Sequence, residues 1–231
     1  MGISENYLKL RQEIPSSVTL VIAVKYASLE QIRELLAAGC RDIGFNTLQQ
    51  MESMKRVLDY KFPEKISFSS AEEKVVRIHF IGHLQSNKIK KVLDWNPYLI
   101  QSVDSLELAE KIAQACKEKN RVQNILLQVK TDPGKEHGFL PQEVMEMAVK
   151  LHRSPRLKVL GLMTLPALMN IPIGEKSREP FRLMKRLFDE LQGMLGRAEK
   201  LPYLSMGMSK DYQLALAEGA TLVRVGRKVF E

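Results

Sequence analysis

Two cysteines in 231 residues, Cys40 and Cys116, are too few and too far apart for a disulfide framework or a CxxC motif. Both fall at predicted helix ends and read as small buried residues. Tryptophan occurs once and aromatics make up 6% of the chain. No basic run is interleaved with stacking rings in the manner of single-strand nucleic-acid binders. No apolar run approaches the roughly 20 residues of a membrane-spanning helix. The first residues, Met-Gly-Ile-Ser-Glu-Asn, lack the basic-then-apolar pattern of an export signal. A cytoplasmic protein that avoids membranes is therefore expected. Linkers and low-complexity tracts are missing as well, so residues 1–231 are expected to form one domain.

The charge is not one-sided. Thirty-five Lys and Arg against twenty-seven Asp and Glu give +8, but the cations are dispersed among acids, as in residues 111–119 and 175–179. That pattern fits solvated helix faces, and no nucleic-acid partner is expected.

What the chain does have is alternation. Eight apolar, β-rich runs, at residues 19–25, 42–46, 77–82, 99–104, 123–130, 158–164, 203–207 and 222–226, are each followed by helical or turn-forming sequence. Runs apolar on both faces are what parallel strands between a core and a helical layer require. Eight strand-helix units in a chain of 231 residues, close to the roughly 250 typical of such barrels, predict an α/β fold, a parallel (β/α)8 barrel with its chemistry at the carboxyl ends of the strands.

Local signals agree. Ser105 is placed to cap a helix whose Leu108, Ile112 and Ala115 share one face. Pro141 marks a helix start, and Gly39 and Gly219 stand where helices should stop. The last run ends five residues before Glu231, which leaves no room for a full eighth helix. The amphipathic opening segment, roughly residues 5–12, is expected to cover that flank with Tyr7, Leu8 and Leu10 facing inward.

Three strand ends carry candidate chemistry. Lys25 closes the first run, where partial desolvation would favour the neutral amine and attack on a carbonyl. A surface lysine at a strand end is the plain alternative. The turn Ser205-Met206-Gly207-Met208-Ser209 after the seventh run offers backbone amides, the Ser205 and Ser209 hydroxyls and a following helix N-terminus to an anion. The eighth run adds Arg224, Gly226 and Arg227. Loops after strands 7 and 8 are where such barrels commonly seat phosphate, although both glycines would also serve simple tight turns.

The third run brings His83, Gln85, Ser86, Asn87 and Lys88 to a polar rim. His79 and His83 show no metal-ligand spacing and no neighbouring acid in sequence, so no metal is assigned. Asn46 after the second run serves either a ligand or a helix cap, and Met163 with Thr164 ends the sixth.

Taken in order, Lys25, HFIGHLQSNK, QSVDSLELAEKI, GLMTLP, LSMGMSKD and LVRVGRKVF resemble the pyridoxal 5'-phosphate (PLP) homeostasis family, also called the YggS or proline synthase co-transcribed family. The resemblance covers nearly the whole chain. It implies PLP fold type III, a barrel like the N-terminal domain of alanine racemase without that enzyme's C-terminal β domain. It also implies a cofactor carrier rather than a proven catalyst. In that family the lysine matching Lys25 forms a Schiff base with PLP. The residues matching Ser205, Met206, Gly207, Met208, Ser209 and Gly226 hold the phosphate, and the arginine matching Arg224 faces the pyridine nitrogen. Asn46 and Met163 match residues lining the same cavity. Two departures stand out: Gly44-Phe45-Asn46 replaces a common Gly-Glu-Asn, and Arg227 replaces a common hydroxyl residue. A guanidinium turned inward would replace that hydroxyl as a phosphate donor.

These implications have a chemical consequence. A guanidinium only donates hydrogen bonds, so it keeps a facing pyridine nitrogen unprotonated and weakens the ring as an electron sink. The expected function is PLP binding for intracellular homeostasis, with release to other PLP-dependent enzymes as partners and a monomeric state. The alternative is a PLP-dependent amino-acid racemase or lyase.

Overall fold

The structure is a computed structural model and describes residues 2–25, 27–61, 76–132, 134, 136–166, 175–196 and 200–231. Strands β1 (Thr19–Ala23), β2 (Asp42–Phe45), β3 (Arg77–Phe80), β4 (Leu99–Val103), β5 (Gln123–Gln128), β6 (Leu157–Met163), β7 (Tyr203–Ser205) and β8 (Leu222–Val225) follow one another around a closed barrel. Every pairing is parallel, including β1 with β8, which closes the sheet. The predicted (β/α)8 barrel is thus the observed fold.

Each strand stops short of its apolar run. The first ends at Ala23 and not at residue 25, the third at Phe80 and not at 82, the seventh at Ser205 and not at 207. The difference lies at the carboxyl ends, where Val24, Ile81 and Met206 each give one last amide hydrogen bond to the neighbouring strand before the chain turns off to form the rim.

Alternation along the strands separates two environments. Leu20, Ile22, Leu204, Val223 and Val225 point outward into the large core shared with the helices. Val21, Leu99, Leu126, Leu160, Met163, Tyr203 and Leu222 form a second cluster within the barrel. The period of two puts Arg224 on the inner face beside its register partner Val21. At Gly161 (φ +142°) an added Cβ would stand 1.8 Å from the Tyr203 carbonyl oxygen, so β6 and β7 approach in a way only glycine permits.

The helices are α1 (Ile3–Glu13), α2 (Leu29–Ala37), α3 (Leu48–Lys61), α4 (Ile89–Asp94), α5 (Leu106–Glu118), α6 (Val144–His152), α7 (Glu175–Leu195), α8 (Tyr212–Ala217) and α9 (Arg227–Phe230). Ser105 caps α5, its Oγ accepting from the Leu108 amide at 3.2 Å. Pro141 opens a short 3-10 turn that leads into α6, and Gly39 and Gly219 take positive φ after α2 and α8. Cys40 and Cys116 are free and buried, and burial pushes the Cys40 thiol up to about 12.

The opening helix covers the flank next to α9 as expected. Asn6 Nδ2 donates to the Val229 carbonyl at 3.2 Å. One residue expected to face inward does not: Leu8 is 50% exposed. Ile3, Tyr7, Leu10 and Ile14 make the apolar stripe, and Leu8 sits a full 100° turn off it.

Candidate functional site

The carboxyl ends of β7, β8 and β1 meet at one sector of the rim. Gly207 adopts φ +92°, and an added Cβ would lie 2.6 Å from Ala215 Cβ and 2.9 Å from Tyr212 Cα. The turn after β7 therefore lies directly on α8. The Arg224 amide donates to the Gly207 carbonyl at 3.0 Å, tying that turn to β8. The Gly226 amide donates to Ser209 Oγ at 3.2 Å, leaving the hydroxyl proton of Ser209 to point elsewhere. On the other side of Gly226, an added Cβ would come 2.7 Å from the Ala23 carbonyl oxygen at the end of β1.

Lys25 follows two residues beyond Ala23, at the same end of the barrel as Gly226, because β1 and β8 are paired neighbours in the register Val21 with Arg224 and Ile22 with Val225. Its carbonyl accepts from Gln50 Nε2 at 3.2 Å. The residue is exposed, contrary to the expected partial desolvation, because β1 ends at Ala23 and carries Lys25 past the apolar stack. Arg227, at the start of α9, is exposed as well.

Below the rim, a chain of polar side chains crosses the barrel interior. Arg224 Nη1 donates to Ser205 Oγ, and its Nη2 donates to the Thr164 carbonyl at 2.7 Å. Ser205 Oγ donates to Gln101 Oε1 at 2.7 Å, and Gln101 Nε2 meets His79 Nδ1 at 3.0 Å. His79 Nε2 stands 2.9 Å from Asp42 Oδ1, and Arg77 grips the same carboxylate through Nε (2.7 Å) and Nη2 (2.6 Å). The hydroxyls of Tyr98 and Tyr203, 2.8 Å apart, complete the floor.

Two readings of the sequence are corrected by this network. Ser205 is fully buried with its hydroxyl committed to Gln101 and Arg224, so it is not a phosphate donor at the rim. Strand alternation turns it inward, one layer below the turn. His79 does have an orienting acid, Asp42, and His83 has Asp104, its Nδ1 lying 3.2 Å from Oδ2. Asp42 comes from β2 and Asp104 from the residue after β4, 37 and 21 positions away in sequence.

Electrostatics follow from burial. Desolvation lowers the Arg224 pKa to about 10 against the pull of Asp211, so the guanidinium remains charged at neutral pH. Burial opposes ionisation of Asp42, but the hydrogen bond from His79 and then the hydrogen bonds and charge of Arg77 prevail and hold its carboxyl below the usual value. Burial pushes Asp211 the other way, upward, against the Met208 amide and Arg224.

The remaining expected site residues divide. Met163 is fully buried and inward-facing in the barrel cluster. Met206 contributes its amide to β8 through the Leu222 carbonyl (3.1 Å), while its side chain packs in the outer core. Asn46 is half-buried at the end of β2. The helix cap belongs to its neighbour: Thr47 Oγ1 accepts from the Gln50 amide at 3.3 Å, and Gln50 Oε1 accepts from Asn46 and Thr47.

Sequence reasoning passed over Asp211, Gln101 and Asp42. Asp211 Oδ1 accepts from the Met208 amide at 2.5 Å, placing a carboxylate inside the glycine turn. A signal for the interior residues was present: His79, Gln101, Ser205 and Arg224 are polar residues set within otherwise largely apolar runs. Such residues must be paired when buried.

The sequence profile of the alanine racemase N-terminal domain family matches residues 2–230. Among curated relatives, the pyridoxal phosphate homeostasis protein of Aquifex aeolicus is 35% identical over 91% of this chain and 85% of its own. That of Helicobacter pylori is 34% identical over 93% and 87%. The fold superposes on the PipY protein of Synechococcus elongatus, solved with PLP bound, with a TM-score of 0.82 and 32% identity, covering 99% of this chain and 100% of PipY. Alanine racemase of Corynebacterium glutamicum shares the fold at a TM-score of 0.74 and 14% identity, with this chain spanning 60% of the enzyme. With the rim geometry and these matches together, the chain belongs to the pyridoxal phosphate homeostasis family, built on the alanine racemase N-terminal domain.

Proposed function

We propose that this chain binds PLP at the β1, β7 and β8 rim, serves PLP homeostasis, and releases the cofactor to other PLP-dependent enzymes. The observation that carries the reading is the placement of Lys25 and the Gly207 and Gly226 turns at one end of three consecutive strands. The residues fit the group. Both glycines sit where an added Cβ would strike backbone, so the chain approaches the rim more closely than side chains allow. Gly207, Met208, Ser209, Gly226 and Arg227 would bracket a phosphate, with amides, a hydroxyl and a guanidinium as donors. Asn46 and Met163 would line the ring.

Bound PLP supplies an electrophilic aldehyde, on which the Lys25 amine would form a Schiff base with loss of water. Arg224 favours holding over turnover. It stays protonated and has N–H donors beyond those given to Ser205 and Thr164, so it offers a ring nitrogen a donor and no base. Asp211 lies in the Gly207 turn, where its carboxylate and a phosphate would compete for the Met208 amide; this contest favours reversible binding.

The test is an absorbance titration of the purified protein with PLP. A Schiff-base band is expected, and Lys25→Ala should abolish it while the circular dichroism spectrum is retained. A band unchanged in the variant would remove Lys25 from the site. Incubation of the loaded protein with amino acids in deuterated water separates carriage from racemase or lyase chemistry. Rapid Lys25-dependent α-proton exchange would overturn the carrier reading.

A further inference from the structure

A second cluster of ligand-type side chains stands at the same end of the barrel, around β3, β4 and β5 and away from the β7 and β8 turns. We infer that His83, Asp104 and His137 form a binding site for a divalent transition-metal ion of the zinc type. His83 Nδ1 lies 3.2 Å and His137 Nδ1 3.5 Å from the same oxygen, Oδ2 of Asp104. The three donor atoms all fall within 4.8 Å of one another. Zinc bonded to nitrogen and oxygen at its usual lengths in tetrahedral geometry separates neighbouring ligand atoms by about 3.3 to 3.4 Å. The two observed spacings straddle that edge length.

The imidazole rings face each other, with centroids 4.1 Å apart and planes inclined by 19°. An unprotonated imidazole nitrogen is a metal donor, and Nδ1 of each ring stands beside the same Asp104 carboxylate oxygen. The donor set, two imidazoles and one carboxylate, is one of those that leave zinc a fourth position for water. That position would face solvent, since the His83 and His137 side chains are 46% and 50% exposed while Asp104 is 8% exposed.

Each ligand is held by backbone fixed elsewhere. Gly82, before His83, packs so tightly on β2 that an added Cβ would lie 2.0 Å from the Asn46 carbonyl oxygen. Its own carbonyl accepts from Ser102 Oγ at 2.5 Å. Asp104 lies between β4 and the Ser105 cap of α5. The His137 carbonyl accepts from Gln128 Nε2 at 3.2 Å, and the adjoining Phe139 amide bonds the Gln128 carbonyl at 2.8 Å. Ligand placement before the metal arrives is what distinguishes a built site from a chance meeting of side chains.

The experiment uses the full chain without PLP, stripped of metal and titrated with cobalt(II) as a spectroscopic stand-in for zinc. One equivalent should bind with the intense visible bands of four-coordinate cobalt, and zinc should displace it. His137→Ala and Asp104→Asn should each weaken binding by about tenfold or more, the scale at which even outer partners of a metal act. His137 is exposed, so its loss leaves the fold intact, and that variant should still form the Lys25-dependent PLP band. Lys25→Ala should still bind cobalt. A wild-type chain that takes up no cobalt or zinc would overturn the proposal, as would equal uptake by the His137 variant. In either case the two rings would simply donate Nδ1–H to a shared carboxylate.

Discussion

Arg224 donates to the Ser205 hydroxyl inside the barrel, and that contact sets the direction of the hydrogen bonds that lead from Ser205 through Gln101 and His79 to Asp42. A guanidinium cannot accept, so Ser205 Oγ must, and its proton goes to Gln101 Oε1. The Gln101 amide nitrogen then faces His79 Nδ1, which must carry the lone pair. His79 is left with its proton on Nε2, donated to Asp42. Nitrogen NMR of the imidazole should report a proton on Nε2 and the lone pair on Nδ1. A signal from the Nδ1–H form would break the chain at Gln101.

Removing the middle of this relay tests its energetic weight. Ser205→Ala deletes one hydroxyl but leaves Gln101 Oε1 and Arg224 Nη1 buried without that partner. Orphaning buried polar atoms costs about 1–3 kcal/mol, so the urea midpoint should fall accordingly. PLP affinity should fall severalfold as well, because Arg224 loses a contact that fixes its plane. A stability change near zero would mean that water or rotated neighbours replace the hydroxyl.

Asp42 makes the floor of the barrel sensitive to acid. Its folded pKa lies below the ordinary 3.8, so its stabilising contribution is complete above that value and is lost as pH falls through the lower, folded one. Asp42→Asn removes the contribution at every pH. The stability gap between wild type and variant, measured by urea unfolding, should be constant from about pH 7 to about pH 5 and should narrow below about pH 4. A gap that is unchanged at the acid end would show that Asp42 is not the ionised partner of Arg77 and His79.

The barrel was legible because strand-helix alternation is local, and so were the two glycine turns, because each sits at a strand end. The relay was not legible as a network. His79 joins Asp42 across 37 positions, and Ser205 joins Gln101 across 104. Such pairs are fixed by barrel closure, which periodicity does not encode. The same holds for Asp104, which stands beside His83 only because β3 and β4 are neighbours. Leu8 differs for another reason: its apolar character does not set its side, and its angle on α1 turns it to solvent.

Gly207 offers a test in which backbone strain and close approach can be separated. An alanine there must hold φ near +92° and must also push against Ala215 and Tyr212 of α8. Gly39 has nearly the same φ, +95°, with nothing within 4 Å of an added Cβ. Gly39→Ala should therefore cost only the left-handed strain, about 1 kcal/mol. Gly207→Ala should cost about 2–4 kcal/mol, the strain plus overpacking against α8. It should also weaken PLP binding by at least about tenfold, because displacing α8 shifts Asp211 and the amides of the turn together. Gly39→Ala should bind PLP normally, as Gly39 leads into the amino end of β2, opposite the rim. Equal losses of stability in the two variants would show that the turn after β7 yields to the extra methyl, and that its closeness to α8 is not what shapes the anion pocket.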